Sequence, residues 1–151
     1  TKKYCWTRDL PFDQVQILAN ELSKNYTIVQ VARPNCHKIP NATIVNDMPD
    51  KRALLGLLLK TEKRILIDSC LQHAAAAFNL PSTVCWVGTS PKVFGYELHN
   101  NILPNIKKLP HMDQTINSVF FDHDFNGPEA EYPFESSNIF NLQDIYDSIV
   151  K

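Results

Sequence analysis

Short apolar runs alternate along this chain with stretches in which apolar residues recur every three or four positions, the pattern of strands alternating with amphipathic helices. The clearest instance spans residues 64–91. Ile65-Leu66-Ile67 reads as a buried strand, and Asp68-Ser69 stands where a helix begins, either residue being able to cap its free N–H groups. Residues 70–80 are the expected helix. Ala74, Ala75, Ala76 and Ala77 combine high helix propensity with little bulk, and Pro81 cannot continue the helix. Residues 83–87 form the next buried strand, and Gly88-Thr89-Ser90-Pro91 a turn. Strand, helix and strand at this spacing make a βαβ unit, whose parallel strands put the loops at Asp68-Ser69 and Gly88-Thr89 on one edge of the sheet. That edge is where α/β folds bind ligands.

The rest of the chain extends the alternation. Residues 2–6 are expected as a first strand and Thr7-Arg8-Asp9 as the loop after it. Residues 10–22 follow as a helix, with Phe12, Val15, Leu18, Ala19 and Leu22 on one face and Pro11 in its first turn. Strands are expected at 27–31, 42–45 and 101–103, and a helix at 50–60 with Ala53, Leu54, Leu57 and Leu58 inward. From Lys107 onward prolines, acids and scattered aromatics replace this texture, until residues 141–150 close the chain as a helix with Leu142, Ile145, Ile149 and Val150 apolar. The expectation is an α/β fold with a mainly parallel sheet over residues 1–108. Residues 109–151 form an acidic, aromatic extension. Phe120, Phe121, Phe125, Tyr132, Phe134 and Phe140 are too many for a disordered tail, so the extension is expected to pack on the same domain.

Composition narrows the class of function. A chain of 151 residues with 44% hydrophobic content suffices for one core-forming domain. No apolar run approaches the roughly 20 residues of a membrane span and no charged-then-apolar leader opens the sequence, so a cytoplasmic location, peripheral to a membrane at most, is expected. Cys5, Cys36, Cys70 and Cys85 lack any C-x-x-C pair and read as reduced core thiols. Cys36-His37 has no second pair at ligand spacing, and Asp122-His123-Asp124 reads as an exposed acidic loop, so neither predicts a metal. With four glycines and no G-x-G-x-x-G, the nicotinamide fingerprint is missing and no cofactor is expected. The net charge of −1 hides an asymmetry: residues 1–108 hold 14 Lys+Arg against 8 Asp+Glu, and 109–151 hold 1 against 8. A mildly basic body suits an anionic small ligand. It is too weak and scattered for a nucleic-acid backbone.

Candidate chemistry gathers at the predicted ligand edge. The first turn of the helix at Cys70 offers free N–H groups and a partial positive charge, an anion site that needs no glycine-rich loop. Ser69 has a hydroxyl to donate to a phosphate oxygen, and His73 lies one turn deeper on the same face. Asp68 would be repelled by a diphosphate, so it is expected to hold loop N–H groups or a sugar hydroxyl. Taken singly, Asp68-Ser69 is also explained by helix capping, His73 by a satisfied core histidine, and Thr7-Arg8-Asp9 by a polar turn. Tyr96 and Glu97 follow the Gly88 turn as a surface loop or as contacts to a nucleoside. Cys85 and Trp86 alternate on a strand and read as packing.

Strand, D-S-x-x-x-H, small-residue helix, P-S/T, strand and G-x-T/S-x-P together resemble the donor-binding half of the bacterial heptosyltransferase-like glycosyltransferases, glycosyltransferase family 9. Asp68, Ser69, His73, Ala75, Ala76, Pro81, Gly88, Thr89 or Ser90, and Pro91 fall on that family's pattern, D-S/T-G-x-x-H-L-A-A-A followed by a P-T/V strand and F-G-x-T-x-P. Cys70 replaces its glycine and Val87 its phenylalanine, which implies a stiffer loop and an altered nucleotide contact. The likeness covers roughly the first hundred residues. It implies a Rossmann-like three-layer domain, one half of a GT-B architecture, that binds a nucleoside diphosphate sugar for cell-surface polysaccharide or lipopolysaccharide synthesis, at the inner membrane if not free in the cytoplasm. The implied donor and phosphate contacts are Thr7, Arg8, Asp68, Ser69, Cys70, His73, Gly88 and Thr89, with no metal and no catalytic base among them. The base belongs to an acceptor-binding domain or subunit, so this chain alone is expected to bind donor without transferring sugar. The alternative is a non-catalytic nucleotide or nucleotide-sugar binding module.

Overall fold

In the computed structural model, residues 8–34, 36–46, 48–105 and 137–151 are described. The strand expected at 2–6, the candidate contact Thr7 and most of the acidic extension lie outside the described residues. Helix α1 (Phe12–Leu22) starts at Pro11, whose φ of −55° and ψ of 125° place it at the N-cap and not inside the first turn. Strands β1 (Val29–Val31) and β2 (Thr43–Val45) precede helix α2 (Lys51–Lys60), which Asp50 caps by accepting the Ala53 N–H at 2.8 Å. Next come β3 (Ile65–Ile67), α3 (Cys70–Ala77), β4 (Thr83–Cys85), the single turn α4 (Pro91–Phe94) and β5 (Asn100–Ile102). Helix α5 (Leu142–Val150) closes the chain, with Asn141 accepting the Gln143 N–H.

Helix α3 stops at Ala77, three residues short of the expected end, because Asn79 takes a left-handed φ of 54°. The N–H of Leu80 then bonds the Ala75 carbonyl at 2.8 Å, and that of Asn79 the Ala76 carbonyl at 3.0 Å. This pair of bonds is the Schellman closure, with asparagine in the place usually given to glycine.

The strands pair in parallel in two small sheets. In one, β1 lies beside β2 with Val29 opposite Thr43; the other has the order β3-β4-β5, with Ile65 opposite Thr83 and Thr83 opposite Asn100. The described residues therefore form an α/β fold. Alternation along β4 sends Thr83, Cys85 and Val87 to one face and Val84 and Trp86 to the other. Cys85 and Val87 join Leu18 and Leu22 of α1, Ile145 and Ile149 of α5, and Ile139 and Phe140 in one apolar core. At its margin, beside a groove at the amino-terminal edge, the Thr83 and Ser148 hydroxyls meet at 2.7 Å. Val84 and Trp86 are also fully buried, so both faces of β4 are covered.

The segment before α5 is attached by a residue with no apolar signature. Gln14 of α1 is buried, donates to Asn138 Oδ1 and the Phe140 carbonyl, each at 2.9 Å, and accepts the N–H groups of Phe140 at 3.0 Å and Ile139 at 3.2 Å. A buried amide with both ends engaged fixes a stretch that otherwise makes a tight turn, the Ile139 N–H on the Ser137 carbonyl at 2.8 Å, and takes the Asn105 N–H on the Ile139 carbonyl at 2.7 Å.

Candidate functional site

The carboxyl ends of β3 and β4 are neighbours in register, Ile67 facing Cys85, so the loops that follow open at the same edge. Asp68 follows β3, and Gly88, Thr89 and Ser90 follow β4 and its continuation through Trp86, whose N–H bonds the Ile102 carbonyl at 3.0 Å. The Thr89 hydroxyl donates to Asp68 Oδ2 at 2.8 Å, and Arg8 Nε lies 3.8 Å from the same oxygen. Three segments far apart in sequence converge on one buried carboxylate. Arg8 itself is mostly exposed, its side chain retaining 58% of its accessible surface, so its guanidinium has room for a second anionic partner.

These bonds sort the candidates by the protons they have to give. Asp68 holds a hydroxyl of the opposite loop and a guanidinium, a different set from the loop N–H groups expected for it. A hydroxyl carries one proton, and that of Thr89 is engaged on Asp68, so what Thr89 can offer an anion is its backbone N–H. Ser69 is placed differently. Its Oγ accepts the Leu71 N–H at 3.3 Å as the N-cap of α3, leaving its own proton for another acceptor. Ser90 caps α4 by accepting the Lys92 N–H at 3.3 Å but is fully buried. Cys70, first residue of α3, is exposed, against its expected place in the core, whereas Cys85 is buried and its thiol is pushed up to about 12 by desolvation. Gly88, in the same loop as Thr89, is buried.

His73 is exposed on α3, one turn below the edge, and does not sit as a core histidine. Its Nδ1 is 2.9 Å from the Tyr96 hydroxyl, with the two rings edge-on and their centroids 5.6 Å apart. Tyr96 and Glu97 are not at the ligand edge. The chain turns back through α4, which begins on the last residue of the turn expected at Gly88-Thr89-Ser90-Pro91, and Tyr96 precedes by four residues the start of β5, which lies opposite the first residue of β4. Signals for α4 were present. Ser90-Pro91 is a cap followed by proline at the first helical position, and at Gly95 a Cβ would come within 2.6 Å of the Pro91 carbonyl oxygen.

A groove of about 810 Å³ opens at the opposite, amino-terminal edge, among Lys63, Arg64, Ser82, Asn100, Asp144 and Asp147. It is the weaker candidate on chemical grounds. Its charges are mixed in sign, and the Arg64 guanidinium is engaged on the carbonyls of Leu58 at 2.9 Å and Thr61 at 2.5 Å. Among the described residues, no cluster of three or more His, Cys, Asp or Glu could hold a metal ion, and no helix is long and apolar enough to cross a membrane.

What the carboxyl edge can do chemically is hold an anion: the Cys70 N–H at the positive end of α3, the Ser69 proton and the exposed Arg8 guanidinium lie at one loop pair, with an imidazole one turn away. Compared with models of protein families, with curated proteins and with solved structures, the chain matches none of them.

Proposed function

We propose that this chain is a donor domain, a Rossmann-like three-layer unit of GT-B type that binds a nucleoside diphosphate sugar for a glycosyltransferase of cell-surface polysaccharide or lipopolysaccharide synthesis, working in the cytoplasm or at the inner membrane. The observation that carries the reading is the convergence of Arg8, Asp68 and Thr89 at the start of α3, on the edge where parallel α/β sheets take ligands. Ser69, the Cys70 N–H at the start of α3 and Arg8 are the groups for the diphosphate, the Leu71 and Gln72 N–H groups being bonded to Ser69, and His73 extends that face. In sugar transfer such groups stabilise charge as it develops on the leaving diphosphate. None of them is a base for an acceptor hydroxyl. The chain by itself is therefore expected to bind donor and to transfer no sugar, general-base help alone being typically worth 10²–10⁴-fold.

The test is a thermal-shift screen of nucleosides, nucleoside diphosphates and their sugars. A diphosphate at a hundred times its dissociation constant stabilises the fold by about 2.7 kcal/mol. A shift with a diphosphate and none with the matching nucleoside at equal concentration supports the reading, and no shift with any diphosphate overturns it.

A further inference from the structure

His73 has a surface position, yet its ring is held on two sides. The Gln72 amide nitrogen is 3.2 Å from His73 Nδ1 and 3.1 Å from His73 Nε2. The in-plane lone pairs of an imidazole diverge, so a donor equally far from both nitrogens lies over the ring face and occupies neither. The same amide donates to the Phe94 carbonyl at 3.0 Å, which fixes where it sits. The Tyr96 hydroxyl takes Nδ1 at 2.9 Å. Nε2 is the ring nitrogen left for an outside partner.

Tyr96 is itself anchored to the core. Asn101 of β5 donates from Nδ2 to the Tyr96 carbonyl at 3.0 Å and to the His99 carbonyl at 3.2 Å. Its Oδ1 accepts the indole N–H of fully buried Trp86 at 2.8 Å. From the other side, the buried His99 donates from Nε2 to the Gln72 carbonyl at 3.0 Å, and its ring meets that of Tyr96 edge-on. A bonded chain thus runs from Trp86 through Asn101 and Tyr96 to an exposed imidazole. An exposed side chain ordinarily keeps its rotamer freedom, and fixing it beforehand removes an entropic cost of binding.

We infer that Tyr96 is a positioning residue for His73: its hydroxyl donates to Nδ1, which keeps the imidazole as the Nε2–H tautomer, and so presents that N–H to a phosphate oxygen of the donor diphosphate. The phosphate role rests on the donor-site reading above, whereas the hold on the ring does not. Tyr96 acts through His73 and makes no contact of its own with the ligand.

The experiment has two arms, run on the whole chain. Nitrogen NMR of labelled histidines, at a pH where His73 is neutral, reports its tautomer without ligand. Titration with ADP reports affinity for the wild type, Tyr96→Phe, His73→Ala and the double variant. Expected are an Nε2–H tautomer in the wild type and a tautomer mixture in Tyr96→Phe. ADP affinity should fall roughly 2- to 12-fold in Tyr96→Phe, the worth of one ordinary hydrogen bond, and that loss should vanish when His73 is already alanine. Phenylalanine keeps the edge-on ring, so folding is undisturbed, and amide spectra check this. An unchanged tautomer in Tyr96→Phe overturns the hold on the ring. A Tyr96→Phe loss that persists in the His73→Ala background overturns action through His73 and makes Tyr96 a direct contact. A wild type with the expected tautomer that binds neither ADP nor any other nucleoside diphosphate overturns the donor-site reading and with it the phosphate role, while the hold on the ring stands.

Discussion

Thr89 Oγ1 donates to Asp68 Oδ2 across 2.8 Å, so the loop after β4 and the loop after β3 form one bonded unit. Asp68 is buried, and a buried carboxylate that loses a partner keeps the full cost of its desolvation. Thr89→Val is expected to destabilise the fold by about 1.5–3 kcal/mol, the range for hydrogen bonds to charged groups. Thr89→Ser should retain most of that. Urea denaturation of the three proteins decides it; equal midpoints for valine and wild type would show that the tie is not needed.

At Ser69 the expected loss divides between two measurements. Ser69→Ala removes the cap that accepts the Leu71 N–H at 3.3 Å, worth about 0.5–2 kcal/mol of stability. It also removes the proton available to a phosphate. Calorimetric titration should show weaker binding of a nucleoside diphosphate and hardly changed binding of the bare nucleoside. Equal losses for both ligands would sink the phosphate role.

Gln14 is the link between α1 and the segment leading to α5. Gln14→Leu keeps the side-chain volume but strands the N–H and the carbonyl of Phe140, at about 1–3 kcal/mol for each group left unsatisfied, whereas the Ile139 N–H keeps the Ser137 carbonyl at 2.8 Å. Ile145→Ala, at a position 1% exposed, should cost about 2–5 kcal/mol, and Val150→Ala, at 41%, no more than about 0.5. Denaturation midpoints rank the three. A Gln14→Leu protein as stable as Val150→Ala would mean that this segment is not held through α1.

Cys85 sets a direction for alkaline pH. Burial raises its thiol from 9.0 to about 12, so between those values the folded chain holds a proton that the unfolded chain has released. Stability from this group is therefore whole below pH 9.0 and is lost as pH climbs toward about 12. Cys85→Ala should flatten the decline in unfolding free energy over that window. Peptide mapping after a short alkylation of the native chain should find Cys70, which is exposed, modified well before Cys85. Modification of Cys85 at an equal rate would show that its cover is not maintained in solution.

The elements that the sequence determined by itself are those set by residues within about four positions of one another. Asp50, Ser69 and Asn141 each cap the helix expected at their position, because a cap needs only a side chain and an N–H two or three residues on. The unit from Ile65 to Cys85 was legible for the same reason, its apolar strands being long enough to mark and its helix bounded by Ser69 and Pro81, although Asn79 ends that helix at Ala77, three residues before the expected stop. Strand lengths were not, since a ladder ends where its partner ends: β4 pairs over Thr83–Cys85, although its apolar run continues to Val87. The candidate site was legible as a set of residues but not as a set of protons. That Thr89 gives its hydrogen to Asp68, that Arg8 reaches the same carboxylate across sixty positions of sequence, that Tyr96 turns away from the ligand edge to hold His73, and that a glutamine on α1 bonds the chain before α5 are facts of side-chain geometry between elements. Local pattern carries no information on them, because a hydrogen bond between distant segments depends on how the intervening elements pack. Only the tertiary structure decides that packing.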